Sequence, residues 1–288
     1  MQERVQYTLY HAGENSDELK KVLDHYQNQP EKLRAACFLV ANMLTHRTYV
    51  GKEIDSLKQM KKESIQKGRI SDEIVAHWKS FDYSSLQIVK DIDVIKADIL
   101  IENIDLAFEA WEKRSWSKQY SFEDFCEYVL PYRIGDEPLE KWRRIYYERY
   151  SPVLDSLYQG NDVVEAARVM ANYLKEEGFT NHTDFNLPHL GALFLLENRV
   201  GYCRDNCDIA TYVMRSLGIP ITMDFYEMSP SYNSRHFWSA LIDTTGLVVP
   251  FNYIEREIVR RPQEERKKRK GIQNLLWAAT GKVFRTLY

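Results

Sequence analysis

Cysteine is scarce in this sequence: 288 residues hold four thiols, Cys37, Cys126, Cys203 and Cys207. That excludes a small disulfide-stapled scaffold. A zinc site built on Cys203 and Cys207 needs a second ligand pair, and no matching Cys/His pair stands out, so no metal is expected. An excess of positive charge is also missing, since 39 Lys and Arg meet 42 Asp and Glu for a formal net charge of −3. Nucleic acid is therefore not an expected partner. The strongest basic cluster, RRPQEERKKRKG at 260–271, is interleaved with Glu264 and Glu265 and reads as a solvated helix face. No apolar run reaches the roughly 18 residues that span a bilayer. The opening MQERVQYTLYHAG lacks the apolar core of a signal peptide. Internal repeats, low-complexity tracts, Walker loops, GxGxxG and EF-hand loops are absent, so neither a cofactor nor calcium is expected.

What is present divides into two textures. Residues 1–158 read as a mostly helical region and 159–288 as a second part in which strands appear. Asn15 and Glu18 have capping-box spacing, and Pro30 suits the first position of a helix. Leu33, Cys37, Val40 and Leu44 fall on one helical stripe, which makes Cys37 a core residue. The run from Ser85 to Lys113 carries no Pro or Gly and reads as one long helix or two shorter ones. Ser121 opens another helix, with Cys126 inside it. Asn161 and Gly178 bracket a helix as N-cap and C′ residues. Beyond Pro220 the period drops to two: Ile221, Met223 and Phe225 alternate, and HFWSALID and LVVPF flank a turn at Gly246 as a β-hairpin. Helices first and antiparallel strands after them define an α+β fold.

The chemistry concentrates in GYCRDNCDIATYVMRSLGIP, Gly201 to Pro220. Cys203, Cys207, Ala210, Met214 and Leu217 form one helical face, so periodicity alone points both thiols at the core. Position separates them. Cys203 sits at the helix start, where unpaired N–H groups and the helix dipole favour an anion and lower a thiol pKa. Cys207 lies a turn further in. A thiolate nucleophile needs a base, and the base needs a partner. His11, His25, His46 and His77 lie in the helical half, and His182 and His189 in a loop before Cys203. His236 begins a strand that can pack on the helix. Asp243 and Asn252 are the candidate partners of His236, although Asp243 also reads as the start of a turn.

These residues resemble the transglutaminase-like superfamily over roughly 195–253. The resemblance rests on Gly201-x-Cys203 followed by Arg204-Asp205, on Arg215-Ser-Leu-Gly-Ile-Pro220, on His236-Phe-Trp238, and on a closing strand Val249-Pro-Phe-Asn252. It implies a papain-like core with a Cys helix packed on an antiparallel sheet. It makes Cys203 the nucleophile and Cys207 a packing residue. It departs at Asn252-Tyr253, where the family carries Asp followed by Pro. Asn252 still offers a carbonyl oxygen to an imidazole, with Asp243 as substitute. The helical half, through EYVLPYRIGDEPLEKWR, resembles the leading region of bacterial members, which are often secreted or lipid-anchored and followed by further domains. An extracytoplasmic setting, periplasmic or surface, and a longer parent chain are implied.

The expected function is a cysteine acyl-transfer enzyme that hydrolyses an amide bond in a peptide, protein or glycopeptide. Cys203, His236 and Asn252 or Asp243 form the expected triad, Cys203 N–H is the first oxyanion donor, and Asn198 is the candidate second donor. Trp238 and Tyr232 are candidate substrate contacts. Arg133, Glu137 and Trp142 either line a groove or form a buried brace. The rival readings are a catalytically weak module that binds peptide or glycan, and a redox pair Cys203/Cys207 with one residue more than the usual spacing.

Overall fold

The computed structural model describes residues 1–67, 72–181, 188–227, 235–254, 258–259 and 283–288. Three helices open the chain: α1 (Gln2–His11), α2 (Ser16–His25) and α3 (Pro30–Asn42). An antiparallel ribbon of β1 (Arg47–Val50) and β2 (Gln87–Lys90) brackets α4 (Lys52–Lys67) and α5 (Asp72–Lys79). Then come α6 (Asp91–Val94), α7 (Ala97–Lys113), α8 (Phe122–Tyr128), α9 (Trp142–Leu157) and α10 (Val163–Glu177). The remaining elements before the sheet are β3 (Thr180–Asn181), α11 (Ala192–Asn198), β4 (Val200–Gly201) and α12 (Cys203–Ser216). The main sheet holds β5 (Ile221–Tyr226), β6 (His236–Ile242), β7 (Val248–Phe251) and β8 (Val283–Arg285), antiparallel in the order β7-β6-β5-β8. This is an α+β architecture. The basic cluster at 260–271, His182 and Tyr232 lie outside the described residues.

Several local signals act as expected. Pro30 occupies the first turn of α3, Ser121 and Asp124 form a capping box on α8, and Gly246 turns the β6–β7 hairpin at φ +75°. Others are redirected. The N-cap of α10 is Asp162, whose Oδ1 accepts the Val164 N–H at 2.9 Å. Asn15 and Glu18 make no capping box. The Asn15 amide donates to the carbonyls of Ile92 and Ile95, and Glu18 accepts the Ala97 N–H that opens α7. Long-range orphan backbone groups outcompete the local cap. Residues 85–113 form β2, α6 and α7, so a strand replaces part of the expected helix. On α3 the buried positions are Ala35, Ala36, Leu39, Val40 and Ala41, while Leu33, Cys37 and Leu44 sit at the margin. The burying face is rotated because α1 and α7 both pack on α3.

The apolar interior forms two clusters. One joins α1, α2, α3, α7 and α8 around Leu19, Tyr26, Leu39 and Ile104. The other joins α9, α10, α11 and the sheet around α12. Every residue of α12 from Arg204 to Ser216 is buried, so its terminal carbonyls cannot rely on water. The helical region supplies the donors: Arg143 Nη1 reaches the Arg215 carbonyl at 2.9 Å, Arg114 Nε the Leu217 carbonyl at 3.2 Å and Trp116 Nε1 the Gly218 carbonyl at 2.9 Å. Gly218 is obligatory in this corner: its φ is +71°, and a Cβ there would lie 2.7 Å from the Ala110 carbonyl oxygen.

Arg143 also donates to Asn103 Oδ1 and to the carbonyls of Val129, Leu130 and Pro131. Replacing it with Met removes the donor from Asn103 Oδ1 and from the Val129 and Pro131 carbonyls, while Leu130 keeps the Asn103 amide. Arg143→Met is expected to lower urea-unfolding stability by about 3 kcal/mol or more, given roughly 1–3 kcal/mol per orphaned group. A loss under about 1 kcal/mol contradicts this account of the α12 C-terminus.

Candidate active site

The start of α12 is shaped by a tight approach. Arg199 takes a left-handed conformation, φ 44°, and turns the chain out of α11 into β4. Tyr202 is the N-cap, and Asp205 accepts its N–H at 3.0 Å. Gly201 makes that possible, because a Cβ on it would sit 2.4 Å from the Asp205 carboxyl oxygen. The Gly-x-Cys-Arg-Asp pattern is thus one structural unit: the glycine clears space for the carboxylate that closes the helix start.

Cys203 is the first residue of α12 and is half-buried. The backbone N–H groups of Phe237 and Arg204 favour its thiolate. Phe237 directly follows His236 on β6, and β6 packs on α12. The expected lowering of the thiol pKa does not occur. Burial pushes it up, the two N–H donors and Arg204 offset only part of this, and Asp205 adds to the rise. The carboxylate that caps the helix opposes the dipole effect on which the expectation rested. Cys207 is completely buried, and burial holds its thiol well above the ordinary range. Both thiols are free.

His236 heads β6 and pairs across to Tyr226 on β5. Its ring lies 5.8 Å from that of Tyr226 and 6.1 Å from that of Trp238. Strand alternation puts His236 and Trp238 on one face and Phe237 and Leu241, both in the α12 core, on the other. Asn252 follows β7, whose Phe251 pairs with Ser239, so it arrives beside Trp238 near the His236 end of the strand. Asn252 is buried, and its Oδ1 accepts the Ile254 N–H at 3.0 Å.

Asp243 stands just past the opposite end of β6, about 23 Å along the strand from His236 at roughly 3.3 Å per residue. Its Oδ1 accepts from the Thr245 N–H, the Thr245 hydroxyl and the Leu247 N–H. The geometry therefore gives Asp243 a turn-forming place and does not bring it to Cys203. Asn198 ends α11, and its Nδ2 donates to the Phe194 carbonyl at 2.9 Å. Arg133, Glu137 and Trp142 are buried. Arg133 pairs with Asp91, and its Nη2 donates to the Thr48 hydroxyl. The Glu137 carboxylate takes the N–H groups of Ile134 and Gly135, and Trp142 Nε1 donates to the Tyr132 carbonyl.

A second histidine–carboxylate pair escaped the sequence reading. His189 Nδ1 lies 2.7 Å from Asp208 Oδ2, with the carboxylate fully buried on α12. Gly135 leaves room for this ring, since a Cβ there would fall 2.3 Å from Nε2. Burial and Arg204 push the imidazole pKa down, Asp208 and Asp136 push it up, and the carboxylates prevail. Asp208 is five residues from Cys203, about 140° around the helix, so this pair serves a different face. The readable signal was Asp208 itself, a carboxylate inside the apolar run CDIATYVM that requires a partner.

No family model and no curated protein matches this chain. Two solved structures show distant likeness. One is a candidate cysteine protease from Cytophaga hutchinsonii, with 13% identity, 38% of each chain covered and a TM-score of 0.30. The other is the periplasmic domain of TgpA from Pseudomonas aeruginosa bound to ethylmercury, with 13% identity, 49% of each chain covered and a TM-score of 0.30. The chain thus spans less than half the length of either structure, and likeness this slight assigns neither a family nor an activity. Among the described residues, no helix is long and apolar enough to cross a membrane.

Two predictions arise here. Gly201→Ala forces Asp205 away from the helix start and is expected to cost about 1–3 kcal/mol, as overpacking does, and to change the alkylation rate of Cys203. An unchanged melting temperature and rate contradict the unit described above. The raised His189 pKa stabilises the fold fully below the unfolded value of about 6.5 and ceases to as pH climbs through the folded value. The stability gap between wild type and His189→Gln is therefore expected to be wider at pH 5.5 than at pH 8.5. A gap independent of pH overturns that assignment.

Proposed function

We propose that this chain is a cysteine acyl-transfer enzyme of transglutaminase-like kind, hydrolysing an amide bond in a peptide, protein or glycopeptide. The observation that carries the proposal is the packing of β6, headed by His236, on α12, whose first residue is Cys203, with the Phe237 N–H favouring the thiolate. In this reading α12 on β5, β6 and β7 is a papain-like core within 159–288, behind a helical region of 1–158.

His236 takes the thiol proton as Cys203 attacks the carbonyl carbon. The developing oxyanion is met by the Cys203 N–H, which has no intrahelical acceptor at the first helical position. His236 returns the proton to the leaving amine, and the C–N bond breaks to leave a thioester. Water, deprotonated by His236, then releases the carboxylate and restores the thiol. Asn252 orients the imidazole, and Trp238 walls the substrate side. A raised thiol pKa suits a mechanism in which proton transfer and attack are coupled, rather than one with a standing thiolate. The mechanism requires no cofactor. An extracytoplasmic setting in a longer parent chain belongs to the same reading.

The second reading, a binding module with a dormant triad, is favoured by one observation: Asn252 Oδ1 already serves the Ile254 N–H. The two readings differ in thiol chemistry. Iodoacetamide is expected to alkylate Cys203 at pH 7 at least tenfold faster in wild type than in His236→Ala, and the variant is expected to react appreciably only above the ordinary thiol range. Equal rates in the two proteins favour the binding module.

A further inference from the structure

At the far end of α12 the protein encloses a second cavity, of about 710 Å³. It opens between α1, the end of α3 and the closing residues Thr286 to Tyr288, and neither Cys203 nor His236 lines it. Arg215 does. Twelve residues of helix separate Arg215 from Cys203, about 18 Å at 1.5 Å per residue, so this is a separate place. The volume lies in the range of small-molecule sites, roughly 300–1,000 Å³.

Arg215 is the unusual group in that wall. It is 4% exposed, its Nη1 donates to the Arg133 carbonyl at 2.8 Å, and its Nε has no partner. Among the described residues no carboxylate comes within ion-pairing distance of it. The two that influence it electrostatically, Glu137 and Glu127, are engaged elsewhere. Glu137 binds the Ile134 and Gly135 N–H groups, and Glu127 accepts the Tyr288 N–H at 2.6 Å. A buried guanidinium without an anion is costly, and Arg presents a planar fork that matches a carboxylate.

We propose that this cavity binds a small monocarboxylate with an apolar body, with Arg215 as its anchor. A single negative charge fits because the other cations nearby are occupied. Arg133 is saturated by Asp91, Thr48 and the Glu137 carbonyl. Arg4, at the rim, donates to Asn42 and sits beside Glu3. His46 is neutral at pH 7, since burial pushes its pKa down to about 4. The apolar body meets Ala41, Leu44, Ile134 and Leu287.

The test is isothermal titration calorimetry of the full chain at pH 7 with octanoate, octanamide and inorganic phosphate. Octanoate is expected to bind at least tenfold more tightly than octanamide or phosphate. Arg215→Gln is expected to erase that preference. Thr45→Trp, which projects bulk into the cavity from an exposed position, is expected to weaken octanoate at least tenfold and keeps the test decisive if Arg215→Gln fails to fold. Equal affinity for octanoate and octanamide, a preference for phosphate, no binding of octanoate, or indifference to Thr45→Trp overturns the proposal. None of these outcomes depends on Cys203 reactivity.

Discussion

The structure turns on the complete burial of α12. A helix withdrawn from water on all sides must find partners for the orphan groups at both ends, and each end organises the chain around it. At the C-terminus, Arg143, Arg114 and Trp116 come from the helical region and meet the backbone carbonyls of Arg215, Leu217 and Gly218. At the N-terminus the helix supplies its own carboxylate through Asp205, and Gly201 gives way for it. The first task ties residues far apart in sequence into one fold. The second leaves Cys203 at the helix opening, against β6.

That arrangement explains why the thiol is not simply activated. The helix dipole and the N–H groups of Phe237 and Arg204 favour a thiolate, while burial and the capping Asp205 disfavour it more strongly. A site so balanced keeps a quiet thiol at rest. The same burial forces Asp208, on another face of α12, to take His189 as a partner. Two histidine environments thus flank one helix: one on a strand beside a thiol, the other in a loop against a carboxylate.

Much of the fold was legible locally. Period-two alternation gave β5, β6 and β7, Pro30 and Ser121 marked helix starts, and the Gly-x-Cys pattern located the opening of α12. What stayed hidden depended on distant partners. Asn15 and Glu18 have capping-box spacing, yet they serve α6 and α7, and nothing in their own neighbourhood announces this. Arg133 sits four residues from Glu137 and pairs with it at 4.0 Å, yet its closer carboxylate partner is Asp91, forty-two residues away. Asp243 and Asn252 both follow strands that flank the hairpin. Only register separates them, placing Asn252 toward the His236 end and Asp243 at the turn. The lowered thiol pKa failed for a similar reason: position on a helix is readable from sequence, whereas depth of burial is set by the strands that cover it.

The central claim is that Cys203 and His236 titrate as one unit. The direct measurement is an NMR titration of the His236 imidazole in wild type and in Cys203→Ala, with labelled ring nitrogens. The account predicts that removing the thiol displaces the His236 titration curve to higher pH, because a protonated thiol that donates to the imidazole stabilises its neutral form. Superimposable curves would contradict it and leave Cys203 a buried thiol beside an independent histidine.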